Sequence, residues 1–520
     1  MEIPLLENFY KNQILEDLFK KNSKLKDFHN GISVDHIDID FIKKRDLNEN
    51  QRNILFNVLS EQYLNTELDI PNDLKLIKNK GTFTVTTGHQ LCVFGGPQYF
   101  IHKIISILKL TEDLRNKYTD FNFLPIFWMA SEDHDFEEIS HLNIFNNKLS
   151  ISKEDGGGVG KINPELFSPI LNQLKDIFKN DNRFDHLETI FSNTLKKNTW
   201  SEATRYWIHR VFEKENLVVL DADDKRLKKI FQPIIQKELE EQFIYDSVKD
   251  TNHQIRGLGF DPKINPRELN LFYLGAQKRT RIIFENNQFK IGYRSYKLEE
   301  IINELNKFPE KFSPNVLMRP LYQENILPNL IYVGGPSELT YWLQLKESFS
   351  KSNLNYPILL LRDHFLWIEE KNINKWNDLG FSIKDFSKNP DNLIKSYFLN
   401  SQNLNLDFNN ETDVLEKLSN FLKEKAKSLD ITLIPTIDAY IKAMNNNMDK
   451  IKNKLIQSLK RNEAQKVNQI NKLSRLVHEN GKLKERSESF IPSFLKSPDD
   501  YIHKLKKASN PEKPNLKIIN

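Results

Sequence analysis

The chain has 520 residues, 39% of them hydrophobic and 28% charged, and a formal net charge of +4. That length exceeds one ordinary hydrophobic core and predicts two or three domains, and the small charge excess offers no basic face of the kind nucleic-acid binding needs. The single cysteine, Cys92, excludes an intramolecular disulfide or a thiolate metal cluster, and no stretch approaches the ~18 apolar residues of a membrane span.

The first residues, MEIPLLENFYKNQ, show no basic region followed by an apolar one, so a secretory signal is not expected and the cytoplasm is the expected location. Five short apolar, β-rich runs follow in order: GTFTVTT (81–87), FLPIFWMA (123–130), NLVVLDA (216–222), NLIYVGG (329–335) and YPILLLRD (356–363). They show little alternation, as strands buried on both faces of a parallel sheet do. After Pro97, Ile101, Ile104, Ile105 and Leu108 recur at helical spacing, with Tyr99, His102, Lys103 and Ser106 on another side. Strand, helix, strand in repetition predicts an α/β doubly wound core. The uneven spacing of the runs predicts insertions at about 150–200 and 225–315.

Beyond residue 380 the character changes, with Gly481 the one glycine left. Ile437, Ile441, Met444, Met448, Ile451 and Leu455 form a heptad seam. A second helical stretch at about 412–428 precedes it, so a helical hairpin is expected, with Pro435 in a first helical turn. The expected domains are a core over 1–380, a helical coiled-coil domain over 381–480, and a tail over 481–520 that packs back on the core.

Two segments place Gly-Gly-Pro at the start of a helix: VFGGPQYFIHK (93–103) and YVGGPSELTYW (332–342). Glycine allows positive φ and close backbone approach there, and proline at the first helical position sacrifices no useful N–H. Such an end can receive an anion; it can also be an ordinary helix entrance. No acid follows Pro97 directly, so Thr87, Gly88, Gln90, Gly95, Gly96, Pro97, Tyr99 and Lys103 are candidates for a carboxylate or phosphate. Glu338 would compete with an anion at the second end, so Gly334, Gly335, Ser337, Glu338 and Tyr341 are candidates for an amine or hydroxyl.

Between them lies ASEDHDFEE (130–138), directly after a strand, where open α/β sheets bind their ligands. Glu132, Asp133, His134 and Asp135, with His89, are the candidate catalytic residues, able to serve as a general base or to hold an ammonium group. An acidic loop with a capping aspartate is the alternative, and no spacing here is diagnostic of a metal. In FSPNVLMRPLYQE (312–324), Asn315, Arg319 and Gln323 can cluster, with Arg319 either a clamp for carboxylate or phosphate or one half of a structural salt bridge. The glycine-rich DGGGVGK (155–161) reads as a mobile flap. Apolar neighbours would raise the Cys92 thiol and keep it from acting as a nucleophile.

TTGHQLCVFGGPQYFIHKIISILKL, LPIFWMASEDHDFEEI, LVVLDADDKRLKKIFQPII, FSPNVLMRPLYQE and LPNLIYVGGPSELTYWLQLK together resemble the successive signature segments of the BshC family, the cysteine ligases of the bacillithiol pathway. The resemblance runs in order from about residue 81 to 365. It implies a Rossmann-like core, connecting subdomains like those of class I aminoacyl-tRNA synthetases, and a coiled-coil domain that supports a homodimer. It also implies the joining of cysteine to glucosaminyl malate by an amide bond. The family usually reads Gly-Gln-Gln where this chain has Gly88, His89 and Gln90. Amide formation from a free carboxylate is uphill in water, so ATP, with Mg²⁺, is the expected activator, through an acyl-adenylate or an acyl-phosphate, and His134 or a neighbouring carboxylate would deprotonate the amine. No Walker loop is present. The alternatives are a nucleotidyl-transfer enzyme on the same core and a non-catalytic dimeric scaffold that binds a metabolite.

Overall fold

The five apolar runs build one parallel sheet in the computed structural model, which describes the chain except residues 154–155, 276–277, 402–408 and 480. Its strands are β1 (Thr82–His89), β2 (Asn122–Met129), β3 (Val218–Asp221), β4 (Asn329–Gly334) and β5 (Ile358–Leu361). Their order is β5-β4-β1-β2-β3, and every neighbouring pair is parallel. All residues of β1, β4 and β5 are buried, which accounts for their lack of alternation. Because the first strand lies in the middle, the chain reverses direction across the sheet between β1 and β4. Open α/β sheets bind ligands beyond the strand ends at such a reversal.

The helix α1 (Tyr99–Lys117) returns the chain from β1 to β2. Between β2 and β3 come the short helix α2 (Phe136–Ile139), a hairpin of His141–Ile144 with Asn147–Ser150, and three further helices ending at Val211. The segment expected to be a mobile flap is instead packed on the acidic loop, although its first residue, Asp155, lies outside the described residues. Val159 N donates to Asp133 O at 2.6 Å and Gly160 N to Ser131 O at 2.8 Å. A Cβ on Gly158 would stand 2.9 Å from Ser131 O, so these glycines serve close packing.

Between β3 and β4 come α3 (Lys225–Glu241), a second helix over Phe243–Gly257, and a five-stranded antiparallel sheet that spans Leu271–Tyr296 and Phe312–Pro314. The sequence patterns do not reveal this sheet. Its strands are short and charged (RTRIIFE, QFKI), so they carry no continuous apolar run. Two further helices frame the core: α4 (Arg319–Ile326) before β4 and α5 (Pro336–Trp342) after it.

The chain ends meet in a second small sheet. Asn515–Ile519 lies between Glu2–Pro4, antiparallel to it, and His364–Trp367, parallel to it. Residues 1–367 with 485–519 form one compact unit and residues 368–484 the other. The division falls ahead of residue 380 because the residues on either side of that glycine pack together: Trp376 stacks on Phe386 at 4.2 Å. In the second unit, α6 (Asn409–Leu429) and α7 (Ile434–Asn462) are joined by a short turn over Ile431–Leu433 and tied by Lys423 and Asp438 at 2.5 Å. None of the residues of α7 is buried.

Candidate active site

A cavity of about 680 Å³ opens beyond the carboxyl ends of β1, β2 and β4, at the reversal of strand order. Its wall takes Gly88, His89 and Gln90 from the end of β1, Ala130 to His134 from the loop after β2, and Gly335 to Glu338 from the loop after β4. Tyr99 and Lys103 reach it from α1, and Arg319 from the start of α4. The two Gly-Gly-Pro segments and the acidic loop do converge on one edge of the sheet, but they contribute differently from one another.

At the second Gly-Gly-Pro, Glu338 closes its own helix end. Its Oε2 accepts from Gly335 N at 2.8 Å and meets Lys103 Nζ at 2.5 Å, and its Oε1 accepts from the Tyr332 hydroxyl at 2.6 Å. Against burial, which would raise it, these donors hold the Glu338 carboxyl down at about 2. Burial pulls the Lys103 ammonium down as well. The carboxylate decides the state of the pair, because Tyr332 and Gly335 also donate to it. Lys103 donates in addition to Gly88 O at 2.7 Å, so the pair ties the ends of β1 and β4 together.

The acidic loop is as heavily neutralised. Asp133 Oδ2 accepts from Gln90 Nε2 at 2.6 Å, and its Oδ1 accepts from His134 N at 2.8 Å and from Arg279 Nη1 at 3.2 Å. Against burial, Arg279 and Gln90 keep this carboxyl below the ordinary aspartate range. His134 Nδ1 lies 3.3 Å from Asp133 Oδ1 and 3.4 Å from Arg279 Nη1, with its ring beside Phe272. Glu132 takes the buried Lys228 ammonium at 2.7 Å, and burial lifts its carboxyl against that partner. Asp135 does not reach the cavity: its Oδ1 accepts from Glu138 N at 3.1 Å, capping α2. Glu138 does line the cavity, and burial, followed by Asp135 and Asp133, pushes its carboxyl up to about 7.

Several other expected residues support the site or stand away from it. Gly95, Gly96 and Pro97 do not line the cavity. Gly95 has φ +86° and a Cβ there would meet Phe490 at 2.9 Å, while Gln98 N donates to Glu488 O at 2.9 Å. The C-terminal segment therefore fills the helix end that was expected to receive an anion. Thr87 spends its hydroxyl on Val333 O at 2.7 Å, and Gly334 O accepts from Arg362 N at 2.9 Å. Asn315 lines the cavity, but its side chain faces Asn270 and the start of α4, accepting from Leu317 N at 2.9 Å. Gln323 is buried behind Arg319 and accepts from its Nη1 at 2.9 Å. Arg319 thus has no ion-pair partner among the described residues, and the Tyr341 hydroxyl stands beside it. Ser337 and Tyr341 both line the cavity.

His89 lines the cavity with a ring packed on Tyr99 and Phe100, at 5.1 and 5.2 Å between centroids. Burial, followed by Lys103, pushes the imidazole down to about 3, so it is neutral. Burial raises the Cys92 thiol, in line with an unreactive cysteine. Sequence patterns passed over Arg267, Arg279, Arg362 and Arg486, which all line the cavity. Arg267, Arg279 and Arg486 sit in no motif, Arg362 ends an apolar run read only as a strand, and each is one of 75 basic residues. The signal that was available for Glu138 is its place in the acidic loop.

Among the described residues, three polar atoms of wall residues are buried and make no hydrogen bond: the donors Nη2 of Arg319 and Nε of Arg362, and the acceptor Oε1 of Gln90. Buried polar atoms are nearly always paired, so these are places for a ligand's anion and for its N–H or O–H. Among the described residues no group of three or more His, Cys, Asp or Glu is arranged to hold a metal ion. Glu132 and Asp133 are already matched to Lys228 and Arg279. An Mg²⁺ ion here would come with phosphates, which leaves it needing only one or two protein oxygens.

Family models match along the whole chain: "Bacillithiol biosynthesis BshC, N-terminal Rossmann-like domain" over residues 1–363, and "Bacillithiol biosynthesis BshC, C-terminal coiled-coil domain" over 365–520. A protein of Flavobacterium johnsoniae, named "Putative cysteine ligase BshC", is 34% identical over 98% of this chain and 97% of its own length. Proteins of the same name from Flavobacterium psychrophilum and Christiangramia forsetii are each 33% identical over 98% of this chain and 97% of their own lengths. The parallel sheet with its central first strand, the cavity at its reversal and these matches agree, and the chain belongs to the BshC family of bacillithiol biosynthesis.

Proposed function

We propose that the chain is an ATP-dependent ligase that joins the carboxylate of cysteine to the amine of glucosaminyl malate, forming an amide bond. The observation that carries this reading is the presence of unsatisfied wall atoms of both kinds, donors on Arg319 and Arg362 and an acceptor on Gln90, in one cavity at the sheet's reversal. A site built for substrates that carry both carboxylates and amines needs both kinds of group. The name of the relatives, a cysteine ligase, supplies the amino acid.

In this reading Arg319, backed by Gln323, holds a substrate carboxylate. His134, whose Nδ1 lies beside Asp133 and Arg279 at the cavity wall, is the first candidate to take the amine proton. ATP supplies the leaving group that makes the cysteine carboxylate reactive. The amine nitrogen then forms the new C–N bond as the carboxyl carbon loses its activated oxygen, and the nitrogen's proton passes to His134. Glu138, poised near neutrality, is the second candidate for that proton.

The chain works, we propose, as a cytoplasmic homodimer through its helical hairpin. Leu418, Phe421, Met444, Ile451 and Leu455 are exposed on α6 and α7, a heptad seam without cover in one chain. Sedimentation of the full chain is expected to give a dimer, and Met444→Asp a monomer; a monomeric wild-type chain would end that part of the reading. Product formation tests the chemistry. Purified chain with ATP, Mg²⁺, cysteine and glucosaminyl malate is expected to give the amide product by mass spectrometry, with one AMP or one ADP per product. Nucleotide turnover without product, or neither, would contradict the ligase assignment.

A further inference from the structure

Four cations at or behind the cavity wall are matched by carboxylates of the chain itself. Lys103 meets Glu338 at 2.5 Å, Lys228 meets Glu132 at 2.7 Å, Arg279 meets Asp133 at 3.2 Å and Arg362 meets Glu485 at 2.7 Å. Arg486 also lines the cavity and has no ion-pair partner among the described residues. Its guanidinium lies over the Tyr99 ring, 5.7 Å from the centroid, and that of Arg362 lies over the same ring at 5.0 Å.

Both sides of Arg486 are clamped. Its neighbour Glu485 is fully buried and accepts from Arg362 Nη1 and Nη2 at 3.0 and 2.7 Å, from His102 Nδ1 at 2.8 Å and from His364 Nδ1 at 2.6 Å. Burial lowers both imidazoles, so they act as neutral N–H donors to that carboxylate. On the other side, Ser487 O accepts from Asn143 Nδ2 at 3.0 Å, Ser489 N donates to Asn143 O at 2.8 Å, and Gln98 N donates to Glu488 O at 2.9 Å. An ordinary surface arginine is solvated on a mobile stem. Arg486 is itself exposed, but the backbone on both sides of it is held and its guanidinium lies over an aromatic ring at the cavity wall with no ion-pair partner among the described residues, an arrangement suited to receiving an anion.

Resting on the ligase reading above, we propose that Arg486 binds one oxyanion group of a substrate, and that Glu485 is the positioning residue that fixes it. The same segment that fills the end of α1 thereby brings a guanidinium to the cavity in its place. The oxyanion is either a carboxylate of the acceptor or a phosphate of the nucleotide, and separate arms distinguish them. Calorimetric titration of the full chain with malate and, separately, with ATP and Mg²⁺ would be compared between wild type, Arg486→Gln and Arg486→Lys, with circular dichroism as the control for folding.

Loss of a charge-assisted bidentate contact is expected to weaken one of the two ligands about tenfold or more in Arg486→Gln, with Arg486→Lys between it and wild type. Weaker malate identifies the carboxylate and weaker ATP the phosphate; either supports the assignment. Wild-type affinity of Arg486→Gln for both overturns it, while the ligase reading stands. A wild-type chain that binds neither removes the ligase reading and this assignment with it. Glu485→Gln is expected to raise the KM of the same substrate and leave kcat within about twofold, whereas partial unfolding would lower kcat at constant KM. An unchanged KM would remove the positioning role.

Discussion

Lys103 and Glu338 illustrate what a residue does here that no local pattern announces. Each sits in a Gly-Gly-Pro segment, and the sequence marks both as binding candidates, yet each is the other's partner at 2.5 Å. Pairing across the fold is a long-range property, and so are the matches of Arg279 with Asp133 and of Arg362 with Glu485. The competition of Glu338 for its own helix end was legible, because an acid at that position accepts from the first N–H groups whatever surrounds it. Glu338→Gln would leave a buried ammonium without its counter-charge and is expected to cost about 3–5 kcal/mol in denaturant unfolding at pH 7. The sign of the pH dependence follows from a folded-state carboxyl at about 2 against an ordinary 4.5. Its contribution is present above about pH 4.5 and is lost as pH falls toward 2. The cost of Glu338→Gln should shrink over that window; a cost that is the same at pH 7 and pH 3 would show that the pair is not ionic.

At the level of elements, the two Gly-Gly-Pro entrances look alike in sequence and differ in structure. Before α1 the backbone takes φ +86° at Gly95 and +49° at Gly96, beneath Phe490 and Cys92. Before α5, Gly335 has φ −79° and its nearest obstacle is the end of a flexible side chain, Glu338 Oε2 at 3.3 Å. Gly95→Ala is therefore expected to destabilise the chain by about 1–3 kcal/mol, through strain and overpacking, and Gly335→Ala by under about 1 kcal/mol. Equal melting shifts would contradict this difference. The five parallel strands were legible because burial on both faces forces continuous apolar runs. The antiparallel sheet was not, since strands such as QFKI mix charge with short length. The strand before the acidic loop brings Glu132, Asp133 and His134 to the edge of the sheet where the cavity opens. Asp135, which caps α2, shows that composition alone does not separate a cap from an active-site acid.

The whole molecule shows why the C-terminal residues were the hardest to place. Residues 485–519 return to the first compact unit, add the central strand of the small sheet, and supply Arg486 to the cavity wall, with Glu485 buried beside it. Nothing in the sequence of that segment marks it as part of a site formed some 400 residues earlier in the chain. The seam of α7 was legible from its period, and its exposure in one chain is the ground for the proposed dimer. The central claim is that the cavity at the sheet's reversal is where cysteine and its acceptor are held, with Arg319 as the grip on a carboxylate. The most direct measurement is initial-rate kinetics of amide formation by wild type and Arg319→Gln, varying each substrate in turn. The expected result is a fall in kcat/KM of about tenfold to a hundredfold for the substrate whose carboxylate Arg319 binds, with the fold intact by circular dichroism. Wild-type kinetics in a folded Arg319→Gln chain would place the chemistry elsewhere.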